Sequence, residues 1–141
     1  MGILAKRFPE YGVTLQIFRG VITREAWMEY YAGFTATDAS RFITYVCPSA
    51  DLSKIDLASG PELKRVVAAK LREFFGDEPV VSILVRTSDE HEPYLRFWCG
   101  FERAGDKHPA QSVLVADFKE ACALLELPDD AWKRLAAAVE C

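Results

Sequence analysis

Histidine and paired cysteine are nearly missing from this chain, which removes the familiar metal and nucleophile patterns. His91 and His108 are the only two histidines, and neither has a carboxylate or cysteine at ligand spacing. His91 and Cys99 are eight residues apart, two turns on a helix and too far to share an ion. There is no Gly-rich phosphate loop and no Gly-x-Ser-x-Gly elbow. The expectation is a protein that is no enzyme and carries neither cofactor nor metal. Cys47, Cys99, Cys122 and Cys141 form no C-x-x-C pair. In a chain this apolar they read as three small core residues and a free thiol at Cys141.

Excess positive charge is also absent. The formal net charge is -4, and no basic run exceeds Lys6-Arg7 or Lys64-Arg65. A phosphate-neutralising face is thereby excluded, and with it a nucleic-acid partner. Apolar runs stop after a handful of residues, against the roughly 20 a membrane helix needs. The opening residues Met1 to Gly12 show no charged leader before an apolar core, and Met1-Gly2 lacks the Ser/Thr of a myristoylation signal. A cytoplasmic protein without integral membrane contact is expected.

What is present is an alternation of strands and helices within 141 residues, the size of one domain. "ILAKRF" and "VTLQIFRG" predict a hairpin around Pro9-Glu10-Tyr11-Gly12. Thr23 is placed to cap a helix running to about Thr35. "RFITYVC" predicts a strand stopped by Pro48. Leu63, Val66, Val67, Leu71 and Phe74 mark the apolar face of a second helix, ended by Gly76. "PVVSILVRT" is apolar at nearly every position and predicts the central strand. Pro93 requires the next helix to begin within a residue or two of it. "QSVLVA" predicts a last strand, and Asp117-Phe118-Lys119-Glu120 a capping box opening a helix with Phe118, Ala121, Cys122 and Leu125 on one face. A further helix over 129–140 follows, with Trp132, Leu135, Ala136 and Val139 inward. The order ββαβαβαβαα implies an α/β fold: a mixed sheet of about five strands with crossover helices, one domain over 1–141.

Two helices carry aromatic stripes at helical spacing: Trp27, Tyr30, Tyr31 and Phe34 on the first, Tyr94, Phe97, Trp98 and Phe101 on the other. Packing on the sheet accounts for such stripes. A stripe left partly open would instead form a homodimer interface or line a pocket for a small apolar or lipid-like ligand, its tyrosine hydroxyls at a wet rim.

"IFRGVITREAWMEYY", "RFITYVCPSADLSKIDLASGPEL" and "SVLVADFKEACALLELP" together resemble the STAS fold of the bacterial anti-sigma-factor antagonists and its divergent, mostly uncharacterised bacterial relatives. The resemblance runs from about Val13 to Pro128. It implies a non-catalytic regulatory or protein-interaction module, and a homo-oligomer. It also implies an interaction surface on the loop from Pro48 to Gly60, with Asp51, Ser53, Asp56, Ser59 and Gly60 as its candidate residues. In the antagonists a serine before a glycine at a helix start accepts phosphate, so Ser59 is a candidate phosphoacceptor. The residues themselves give a second reading: Ser59-Gly60-Pro61-Glu62 is a Ser-x-x-Glu capping box.

Overall fold

The computed structural model describes residues 2–33, 41–55, 60–76, 78, 80–100 and 110–141, without the side chains of Phe97, Cys99, Ala110 and Gln111. Five strands, β1 (Gly2–Phe8), β2 (Val13–Arg19), β3 (Arg41–Val46), β4 (Val80–Val85) and β5 (Ala110–Val115), form one sheet in sequential order. β1 and β2 are antiparallel, and the other neighbours are parallel. The hairpin turns at Gly12, whose φ of 61° lies in the left-handed region that glycine enters without a Cβ penalty.

The intervening helices are α1 (Arg24–Ala32), α2 (Gly60–Phe75) and α3 (Glu92–Gly100), the last preceded by a 3-10 turn at Asp89–His91. Because the sheet grows in one direction from β2 to β5, right-handed crossovers place all three on one face. α4 (Phe118–Leu124) and α5 (Ala131–Ala137) cover the other face. The ββαβαβαβαα order and mixed sheet expected from the sequence are both present.

Local chemistry sets the helix ends. Thr23 Oγ1 accepts from the Ala26 N–H at 3.0 Å. Asp117 Oδ1 accepts from the Glu120 N–H at 2.9 Å, while Glu120 Oε2 accepts from the Ala116 N–H at 2.9 Å. Each satisfied cap is worth about 1 kcal/mol. Gly76 closes α2 at a φ of 59°, and Pro93 is the second residue of α3, where its missing N–H costs nothing.

Strand alternation sorts residues to the two faces. Leu15, Ile17, Ile43, Ile83 and Val85 pack towards α4 and α5 with Phe118, Ala121, Ala131 and Leu135. Tyr45 stacks on Phe118 there, ring centroids 5.1 Å apart. Thr14, Gln16, Phe18, Phe42, Thr44, Val46, Ser82 and Leu84 point the other way, towards α1 to α3.

Three expectations need correction. β4 is not central: β3 is the middle strand, and β4 lies between β3 and β5. Both are flanked on each side and covered on each face, so an apolar run cannot tell them apart. On and just after the last helix, Leu135 is buried and Trp132 and Val139 pack half-buried against the core as expected, Trp132 beneath Lys119 Nζ, 4.6 Å from its ring centroid, but Ala136 is exposed and Ala131 takes the buried place instead. The short helix packs chiefly on α4 and turns one narrow face inward. Finally, Cys141 is not a free thiol: it forms a disulfide with Cys47, which lies in the core as expected, Cα atoms 5.7 Å apart. The segment after α5 returns across β1 and β2, where Lys6 Nζ donates to Ala138 O at 2.6 Å and Arg19 donates to Glu140 O at 3.3 Å. That path brings Cys141 to the end of β3. Cys122 is free and buried, and burial pushes its thiol pKa up.

Candidate ligand cleft

A cleft of about 80 Å³ separates the sheet from α1, α2 and α3. Its floor is Gln16 and Phe18 of β2, Phe42, Thr44 and Val46 of β3, and Val80, Ser82 and Leu84 of β4. Its walls are Trp27 and Tyr31 of α1, Leu63, Val67 and Leu71 of α2, and Tyr94, Leu95 and Trp98 of α3. Leu52, Ile55 and Gly60 close the end where β2 and β3 finish. The cleft thus runs under the helices along the strands, from Phe42 and Val80 at the starts of β3 and β4 to Val46 at the end of β3.

The aromatic walls are built by helical spacing. Thr23 starts α1, so Trp27 and Tyr31 fall one turn apart on its inner face, both buried. Trp27 meets Phe18 edge-on at 5.4 Å, Tyr31 at 5.6 Å and Trp98 at 5.1 Å. Trp98 is held from outside by Lys64, whose buried ammonium donates to the Trp98 carbonyl at 2.6 Å and lies 5.3 Å from its ring centroid. A cation in the last turn of α3 suits the negative end of that helix.

The floor is polar at its centre. Gln16 and Thr44 are register partners on β2 and β3. Thr44 Oγ1 donates to Gln16 Oε1 at 2.9 Å, and Gln16 Nε2 donates to the Tyr30 hydroxyl at 3.0 Å. Both interior residues are thereby bonded, as burial demands. Burial raises the Tyr31 pKa, and it raises that of Tyr30 against the opposing Gln16 hydrogen bond, so both phenols are neutral. No carboxylate, ammonium or guanidinium is among the described lining residues. The cleft therefore disfavours a charged ligand and suits an apolar one.

Of the aromatic residues expected at a pocket or interface, Trp27, Tyr31, Tyr94 and Trp98 line this cleft. Tyr30 stands behind it, bonded to Gln16 and edge-on to Tyr31 at 5.0 Å. Phe34, Phe101 and the Phe97 side chain lie outside the described residues.

Of the expected interaction loop, Asp56 and Ser59 also lie outside the described residues. Asp51 serves the fold. Its Oδ1 accepts from the Ser53 N–H at 2.8 Å and the Ser53 hydroxyl at 2.5 Å, and these bonds, the hydroxyl first, lower its carboxyl pKa. Its backbone bridges to the segment after β2: Asp51 N donates to Gly20 O and Ile22 N to Asp51 O, each at 2.9 Å. Ser53 is exposed on that turn, and Gly60 is buried at the start of α2. His91 Nε2 lies 2.7 Å from Ala50 O, which pins the same loop from the β4 side. Its partner being a carbonyl, Nε2 carries the proton.

Gln16, Thr44 and Ser82 did not stand out in the sequence as site residues. Their signal is faint but physical: polar residues at alternate positions of otherwise apolar interior strands. Thr14 and Gln16 on β2, Thr44 on β3, and Ser82 and Ser112 on β4 and β5 fall on one face.

Fold and site together define a three-layer α/β domain with an uncharged cleft between its sheet and one helical layer. Searches against profiles of known families, curated proteins and solved structures returned no match. Among the described residues, no helix is long and apolar enough to cross a membrane, and no cluster of side chains could hold a metal ion.

Proposed function

We propose that the chain is a non-catalytic binding module that holds a small apolar molecule, or one end of a lipid-like one, between the sheet and α1 to α3. The observation that carries this reading is the cleft itself, walled by four aromatic rings and floored by a satisfied polar pair. A cavity near 150 Å³ takes a benzene-sized guest while a water needs roughly 10–15 Å³, so a space of this size admits a few non-hydrogen atoms. Val67→Phe adds a ring to the α2 wall and tests it. Native mass spectrometry should find a bound small molecule on the gently purified protein and none on the variant. A bare wild-type protein, with Val67→Phe destabilised by the roughly 1–3 kcal/mol of an overpacked core, would sink the reading.

A second reading has its own support. The loop after β3 closes the cleft with Leu52 and Ile55 while exposing Pro48, Ser49, Ser53 and Lys54, so a protein docked there touches the wall of the cleft. A regulatory module of the STAS-like type, cytoplasmic and meeting either a second copy or another protein through this loop, uses that arrangement. A partner recovered with the wild type and lost with Ser59→Asp, in a variant that still folds, supports the phosphoswitch. If Ser59→Ala costs about 1 kcal/mol of stability and neither variant changes partner binding, Ser59 is a helix cap only.

A further inference from the structure

The sheet has two outer strands, and only one of them is blunted by charge. β1 carries Lys6 and Arg7, which discourage a further strand from adding to it. β5 holds neither a charge nor a proline, and among the described residues no strand pairs with its outer side. Val113 is 43% exposed on β5, although its register partner Ile83 is buried. The backbone fixes which groups point outward. Arg86 N donates to Val115 O at 2.9 Å, so Val115 turns its polar backbone groups towards β4. Along a strand these groups alternate from side to side, so Val113 also faces β4, while Ser112 and Leu114 present their N–H and C=O groups outward. We infer that this edge is a contact between two copies of the chain, paired antiparallel through β5 into one continuous sheet. The strand is complementary to itself. A two-fold axis across the edge keeps the same sheet face up in both copies, so it passes through a residue and not between two. Placed at Val113, it sets Ser112 opposite Leu114 of the second copy and Leu114 opposite Ser112. Each such pair exchanges both of its backbone hydrogen bonds. The two exposed Val113 side chains then meet at the close, non-hydrogen-bonded position. No like charges oppose one another, as they would at β1. Pairing β5 with β1 of the next copy would never close, and would run on as a fibre. A contact along one strand edge falls in the weak class, below about 1,200 Å², so the dimer should depend on concentration. The inference is independent of what the cleft holds.

Sedimentation velocity on the full chain over a concentration series tests the contact. The wild type should pass from one chain mass to two as concentration rises. Val113→Lys sets two ammonium groups against each other at the axis, and should stay at one chain mass throughout. Val113→Glu should do the same, and an equal mixture of the two variants should recover the doubled mass, since opposite charges then meet. Hydrogen exchange on the wild type reads the same contact without any substitution. The Ser112 and Leu114 amides should exchange freely in dilute protein and become protected as it is concentrated. Those of Val113 and Val115, which point to β4, should be protected at both limits. Should the charged variants fail to fold, this change in protection decides alone. A wild type that stays at one chain mass, or gains no protection at Ser112 and Leu114, would overturn the proposal. So would a wild-type dimer that Val113→Lys leaves intact, which would place the meeting of copies elsewhere, such as the loop after β3. A mixture that does not recover the doubled mass would overturn the axis at Val113.

Discussion

Opening the Cys47–Cys141 disulfide should lower the stability of the protein by about 4–5 kcal/mol, on the chain-entropy estimate for a loop of this length. The bridge spans 94 residues, and reducing it frees that whole stretch in the unfolded chain. The native state offers little in its place. The segment carrying Cys141 is otherwise held by half-buried Ala138 and Val139, by the Lys6 and Arg19 bonds to Ala138 and Glu140, and by a largely solvent-facing Lys6–Glu140 ion pair at 3.5 Å. Exposed pairs of this kind are typically worth about 0–1 kcal/mol. Urea unfolding with and without reductant measures the loss, and Cys141→Ser should reproduce it because that end of the bridge is exposed. Cys47→Ser should cost more, since it also leaves a hydroxyl at a fully buried site. An unchanged midpoint on reduction would show that the bridge does not constrain the unfolded chain. The same pair reports on the cellular setting. A cytoplasmic module keeps it as thiols, open to alkylation when cells are quenched, whereas an oxidising compartment keeps it closed.

The second large effect is expected at the middle of the sheet. Ile43 is fully buried on β3 and faces α4 and α5. Ile43→Ala should cost roughly 3–4 kcal/mol, the transfer term plus the cavity left in a close-packed layer. Its neighbour Thr44 faces the cleft, and Thr44→Val keeps the volume but removes the donor to Gln16 Oε1. That change should cost only about 1–2 kcal/mol, while raising the apolar character of the floor. Chemical denaturation of the two variants compares the layers directly. An Ile43→Ala cost below that of Thr44→Val would contradict the assignment of a solid layer to one face and an open one to the other.

Much of this fold was legible because its signals are local. Thr23, Asp117 and Gly76 each act within a few residues, through caps and a left-handed turn, and the pattern of the strands follows from alternation. The aromatic stripe of α1 was legible for the same reason, since Trp27 and Tyr31 share a face by helix geometry alone. What escaped depends on residues distant in the chain. The cysteine pairing requires a return path across β1 and β2 that no spacing encodes. The polar floor is assembled by strand register from three separate segments, each contributing one polar residue to the cleft: Gln16, Thr44 and Ser82. The order of β3 and β4 was hidden because interior strands share one composition.

The Gln16–Thr44 pair also specifies the alignment of β2 with β3. Sliding either strand by one residue would turn its polar side chains into the layer packed by α4 and α5, and bring Leu15, Ile17 or Ile43 round to the cleft. The displaced amide and hydroxyl would then lie among Phe118, Ala121 and Leu135, side chains with nothing to offer them. Strands this rich in β-branched and aliphatic residues would otherwise tolerate several pairings. A hydrogen bond worth little as stability thus excludes the misaligned sheets, and makes the native pairing the one in which every interior polar group of these two strands finds a partner.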